Sequence, residues 1–138
     1  MMEKNVIKYR RKRAKETLQE AEIMLENNKL IAAVNRTYYA VFYEVIALLL
    51  SKGLSSSKHS GVRSLFNKEY IKTGIIAEEH GDFYNRVFGF RQRADYEDFV
   101  EFENQKVKSW LKSAKEFIDA VEKVMNVTDE NDAAGYTS

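Results

Sequence analysis

Residues 30–52 read LIAAVNRTYYAVFYEVIALLLSK. Ile31, Val34, Tyr38, Val41, Val45 and Leu48 recur at alternating spacings of three and four, which is the helical period. Phe42 and Leu49 widen that stripe. A helix apolar over so much of its surface belongs at the centre of a bundle. Gly53 follows directly, where a glycine ends a helix by taking a left-handed conformation. The stretch therefore predicts a central helix over 30–52. Two of its residues do not fit a plain core. Arg36 is a cation one turn into an apolar helix and needs a partner, either a carboxylate or a ligand phosphate. Tyr39 and Tyr43 follow it on the same side, while Tyr38 reads as core packing with its hydroxyl reaching solvent.

Working outward, residues 5–27 carry Ala14, Leu18, Ala21 and Leu25 at helical spacing and predict a first helix. Its opening holds Lys4, Lys8, Arg10, Arg11, Lys12, Arg13 and Lys15. Positive charge there opposes the helix dipole, which reads either as a solvated face or as a phosphate contact. Ser57 is a candidate cap for a third helix beginning near Lys58, with Val62, Leu65, Phe66 and Tyr70 on its core side, ending before Gly74. The segment Glu78–Asp82 starts a fourth helix carrying Phe83, Val87, Phe90 and Ala94, with Asp82 a candidate cap and His80 read as a loop residue. A fifth helix is expected from about 98–100 to Val124, with Val107, Trp110, Ala114, Phe117 and Val121 in register. No segment shows strand periodicity. The fold class is all-α, an up-and-down bundle of about five helices. Residues 1–125 form the bundle domain. Residues 126–138 lose the apolar period and read as a disordered tail.

Composition excludes several functions. The chain has 138 residues, enough for one domain with its own core. No cysteine is present, so disulfides and thiolate metal sites are impossible, which suits a cytoplasmic protein. His59 and His80 are too far apart for a local metal motif, and no cofactor fingerprint occurs. The longest apolar run, Val45 to Leu50, falls far short of a membrane span, and the charged start does not resemble a signal peptide. The absence of proline fits helices joined by short turns.

What chemistry remains is cationic and aromatic. In Arg86-Val-Phe-Gly-Phe-Arg91-Gln-Arg93-Ala-Asp95-Tyr96, Arg91 and Asp95 share a helix face. As a surface ion pair they would stabilise the helix by only about 0.2–0.5 kcal/mol. Together with Arg36, Tyr39, Lys58, His59, Arg93 and Tyr96 they suit an anionic ligand, a nucleotide or RNA, since arginine offers both a fork for phosphate and a stacking face. A histidine at a helix start, as His59 is expected to be, is held neutral by the dipole and can act as a base.

Several of these residues form motifs that resemble the HEPN domain family. They are Asn35-Arg36-x-Tyr38-Tyr39-Ala40-x-Phe42, Lys58-His59-Ser60-Gly61-Val62 after a glycine turn, Phe66 and Gly74 downstream, and Arg91-x-x-Ala94-Asp95-Tyr96. The likeness runs from about Tyr9 to Val124. It implies a homodimer, often encoded beside a small nucleotidyltransferase, and in many members a metal-independent endoribonuclease of toxin–antitoxin or defence systems. Such members place an arginine and, a few residues on, a histidine in a cleft between subunits. Here Arg91 matches the arginine, but Tyr96, Glu97 and Asp98 occupy the histidine window. A phenol is a poor base at neutral pH. His59 could serve only if folding brings it to Arg91.

Three readings follow. The chain is a nucleotide- or RNA-binding protein, as a toxin nuclease with Arg91, Asp95, Tyr96 and His59 catalytic and Arg36, Tyr39, Lys58 and Arg93 binding. Alternatively it is a non-catalytic docking subunit that presents a substrate, or its own tyrosine, to a nucleotidyltransferase. In the plainest reading it is a dimeric bundle whose Arg91–Asp95 pair only closes an interface.

Overall fold

In a computed structural model that describes residues 2–137, with side chains described for 3–127, those residues form helices joined by short connections. The elements are α1 (Met2–Glu26), α2 (Leu30–Ser51), α3 (His59–Phe66), α4 (Glu78–Tyr96) and α5 (Asn104–Thr137). A π turn, Asn67–Ile71, extends α3. No strand occurs among the described residues.

α2 is the central helix. α1, α4 and α5 all pack against it. Tyr38, Val41, Val45, Leu48 and Leu49 are fully or almost fully buried. Around them lie Ala14 and Ala21 of α1, Val62 and Phe66 of α3, Phe83, Tyr84 and Val87 of α4, and Ala114, Phe117 and Val121 of α5. Burying each large apolar side chain contributes roughly 1.5–3 kcal/mol. Ile31 is the exception to the predicted stripe. It lies half exposed, at the rim where α2 begins.

The turns follow from local chemistry. α2 ends at a Schellman motif: Gly53 takes φ +74°, its N–H donates to the Leu50 carbonyl at 2.9 Å, and the Leu54 N–H donates to Leu49 at 2.8 Å. Asn28, at φ +56°, ends α1 in the same way. This reverses the chain in three residues and lays α1 antiparallel along α2.

Several boundaries differ from expectation. α1 begins at Met2 rather than at residue 5, since nothing in its basic opening breaks a helix. Ser57 does not cap α3. Lys58 holds the cap position, and its N–H is met by Ser56 Oγ at 3.3 Å. α4 begins at Glu78, so Asp82 lies within it. His80 is therefore a helical residue, half buried and edge-on to Phe117 at 5.9 Å, not a loop residue. α5 begins at Asn104, later than read, because Phe99 adopts φ +58°, a left-handed conformation that interrupts helix. It then runs to Thr137, where no proline stops it; Ser138, the last residue of the expected tail, lies outside the described residues. Tyr38 is wholly buried, and its hydroxyl meets His59 rather than solvent.

One core residue was not anticipated. Glu44, on α2, is fully buried, and among the described residues neither carboxyl oxygen has a hydrogen-bond partner. Burial, reinforced by the charge of nearby Glu122, pushes its pKa up to about 8, while Arg11 and Lys15 pull the other way. Those two cations pair with Glu122, at 2.5 and 2.9 Å. Folded Glu44 therefore keeps its proton at neutral pH. A carboxyl whose folded pKa is raised contributes stability below its unfolded pKa and loses it as pH climbs through the folded one. Glu44→Gln is expected to match the wild type near pH 4.5 and to exceed it by up to about 4 kcal/mol near pH 8. Urea midpoints at the two pH values check this, and equal midpoints at the alkaline end would refute it.

Candidate functional site

Three helices meet beside the first half of α2. α2 supplies Asn35, Arg36, Tyr38, Tyr39 and Phe42, α3 supplies His59 from its first position, and α4 supplies Arg91 and Asp95 from its last turns. Arg91 is the hub. Its Nη2 donates to the Tyr39 hydroxyl at 2.9 Å, and its Nε lies 2.9 Å from Asp95 Oδ2. The latter is an ion pair bent away from a straight hydrogen bond. The guanidinium also lies 5.3, 5.5 and 5.9 Å from the rings of Tyr38, Tyr39 and Tyr96. With only 12% of its side chain exposed, this cation is held by a carboxylate and a cage of phenols. Burial opposes its charge, but the hydrogen bond and charge of Tyr39, with Asp95, hold its pKa above the ordinary value.

Asp95 is fixed in turn. Asn35 Nδ2 donates to its Oδ1 at 3.1 Å, and Arg36 donates to Asn35 Oδ1 from Nε and Nη2 at 3.1 and 2.7 Å. The cation read as needing a partner thus finds Asn35, Glu20 at 3.6 Å and the face of Tyr39 at 5.3 Å. The result is a relay from Arg36 through Asn35 and Asp95 to Arg91.

His59 joins from the other side. Its Nδ1 is 2.8 Å from the Tyr38 hydroxyl, and its ring stacks on Phe42 at 4.1 Å and 6°. Burial, then the nearby Arg91 charge, lowers its pKa, so the imidazole is neutral at pH 7. Burial raises that of Tyr38 steeply, which keeps the phenol protonated. No described residue bonds His59 Nε2. Gly61, two residues beyond His59, lies so close to the preceding turn that a Cβ there would collide with Ser56 Oγ and force Ser56 to move.

Arg36, Tyr39, His59, Arg91 and Asp95 are brought together. Tyr96 stands at the edge, 76% exposed. Arg93 turns away, pairing with Glu97 at 3.3 Å and covering Phe102. Lys58 is exposed and forms no ion pair among the described residues. Asn35 and Tyr38 hold the site together, yet the sequence reading gave neither a site role. Their signal was their place in the Asn35-Arg36-x-Tyr38-Tyr39 motif on the most apolar helix. Beside Asn35 and Asp95 opens a groove of about 850 Å³, walled by Met24, Ile31 and Phe102. Among the described residues no group of three or more His, Asp or Glu could hold a metal ion. Nor is any helix of theirs long and apolar enough to cross a membrane.

Comparison with known proteins places these residues in context. The model of the HEPN domain matches residues 7–124. A UPF0332 protein of Thermotoga maritima is 53% identical over 120 residues, covering 87% of this chain and 91% of its own length. Two proteins of Methanocaldococcus jannaschii, each named "Putative toxin", are 34% and 35% identical, covering 82% and 81% of this chain and 77% and 83% of theirs.

Gly61→Ala tests how the site is held. Glycine to alanine in a helix ordinarily stabilises by about 1 kcal/mol. Here the clash with Ser56 should reverse the sign, costing about 1–3 kcal/mol, and release His59 toward an ordinary pKa. Thermal unfolding and the NMR titration of the imidazole read the two effects.

Proposed function

This chain belongs to the HEPN domain family, and on that premise we propose that it is a metal-independent endoribonuclease, the toxin of a toxin–antitoxin or defence pair, acting in the cytoplasm as a homodimer. The observation that carries this reading is the approach of His59 to Arg91 across Tyr38 and Tyr39. It offers the base that the stretch after Arg91 lacks.

In the proposed reaction the RNA 2′-hydroxyl attacks the adjacent phosphate. The reaction uses the tautomer in which His59 carries its one proton on Nδ1 and donates it to the Tyr38 oxygen, 2.8 Å away, so that Nε2 is the lone pair that takes the 2′ proton. The new O–P bond gathers negative charge on the phosphorane. Arg91, oriented by Asp95 and Tyr39, stabilises it. The P–O5′ bond breaks, and the leaving oxygen takes a proton from the Tyr96 hydroxyl, which solvent restores. The products are a 2′,3′-cyclic phosphate and a 5′-hydroxyl. Arg36 and the neighbouring groove hold the flanking nucleotide.

A second reading is favoured by one corner of the molecule. Tyr96 is largely exposed and Phe99 completely so, where α4 ends. A nucleotidyltransferase partner could grip that corner and act on the tyrosine, with this chain as a non-catalytic docking subunit.

The test is cleavage of single-stranded RNA in EDTA, read on a denaturing gel. Cleavage is expected, with Arg91→Ala and His59→Ala each lowering the rate at least about a hundredfold. The rate should fall on the acid side as His59 protonates, at a pH below the ordinary histidine value of 6.5. Intact RNA at high protein concentration would refute the nuclease. Labelling of the wild type but not of Tyr96→Phe by a nucleotidyltransferase and nucleoside triphosphate would then support the docking reading.

A further inference from the structure

We propose that a basic, aromatic ridge between α1 and α2 is a track for single-stranded RNA, carrying the strand away from the Arg91 centre for several nucleotides. This rests on the ribonuclease reading and adds a binding surface outside the reacting groups. The ridge starts at Tyr39, which accepts the Arg91 hydrogen bond. Tyr43 lies one turn on, its ring centre 5.9 Å from that of Tyr39. Arg13 and Arg10 of α1 cover the Tyr43 ring at 5.5 and 5.9 Å. Arg10 also lies 5.9 Å from the ring of Tyr9, which is 55% exposed. Cations and rings therefore adjoin one another from Arg91 to Tyr9, with the rings of Tyr39 and Tyr43 side by side in the middle.

The fold answers these arginines with rings rather than ion pairs, and Arg13 also hydrogen-bonds Tyr43 and feels the charges of Glu20 and Glu16 at longer range. Arg11 and Lys15, from the same basic stretch, are answered by Glu122. Arg10 and Arg13 form no ion pair within bonding distance among the described residues, and Arg10 Nε is buried without a hydrogen bond. Each is laid against a ring instead. A guanidinium pinned in this way keeps a phosphate-binding fork and a stacking plane in place, so little side-chain freedom is lost when a strand binds. Adjoining aromatic and cationic groups suit a single strand, whose bases are free to stack while its phosphates are neutralised. A duplex hides its bases and gains nothing from the rings.

Acidic residues give the track a direction. Glu16 and Glu20 follow Arg13 along α1, and Glu20 reaches Arg36. Their charges bear on Arg13 itself, so the strand passes on the side away from them, over Tyr43 and Arg10 toward Tyr9.

The experiment measures binding of labelled oligouridylates, a dinucleotide and a longer strand, to the full chain over a range of salt. Arg10→Ala with Arg13→Ala, and separately the exposed Tyr9→Ala, should weaken the longer strand by about tenfold. Dinucleotide binding should not change. The double variant should also flatten the salt dependence by about 0.7 in log–log slope for each phosphate it no longer neutralises. Unchanged affinity and slope in both variants would overturn the track. If Arg91→Ala still lost the dinucleotide, the reading of the centre would survive. A wild type that binds neither strand overturns both. Duplex RNA or anionic vesicles bound as tightly as the single strand would also overturn the track. Tyr9→Ala removes a largely exposed side chain, so the test does not depend on how the double variant folds.

Discussion

The burial of α2 on several sides at once governs the rest of the structure. A helix enclosed by α1, α4 and α5 has little solvent to spend on polar side chains. Each polar group it carries must be met by a neighbour or neutralised. Asn35, Arg36, Tyr38 and Tyr39 are met, and the groups that meet them are Asp95, Glu20, His59 and Arg91. The candidate site is thus the place where neighbouring elements answer the polar half of the most apolar helix. Its rigidity follows, because each member is fixed by the next.

Glu44 shows the other resolution of the same constraint. No described donor reaches its oxygens, so protonation takes the place of pairing. It lies two turns beyond Arg36 on the same helix. One end of α2 is therefore polar and partnered, while the other is uncharged near neutral pH. The cations close to Glu44 are drawn to Glu122 at the α1–α5 boundary, which keeps them out of the core.

Aromatic rings do a second task throughout the site. Tyr38, Tyr39 and Tyr96 surround Arg91, and Phe42 holds His59 flat. A cation over ring faces stays charged at lower desolvation cost than one in aliphatic surroundings. A neutral imidazole near a fixed cation is in turn kept from protonating. His59 and Arg91 are thus held in different charge states by their surroundings, the imidazole neutral and the guanidinium charged.

The sequence by itself determined the all-α class, the central helix, its glycine terminus and the shared face of Arg91 and Asp95. These depend on period and on local backbone chemistry, which act within a few residues. It also carried the family, through motifs that sit at turn-length spacings. It misjudged where α4 and α5 begin, because a candidate cap such as Asp82 does not end a competing upstream turn, and the left-handed Phe99 leaves no mark in composition. Only the tertiary structure decided that His59 lies against Tyr38 and under the influence of Arg91, that Asn35 bonds Asp95 across 60 residues, and that Arg93 and Lys58 stand apart. Those outcomes depend on how α2, α3 and α4 are rotated about their axes when they pack. Packing settles that rotation through many distant neighbours together, and no local pattern encodes it.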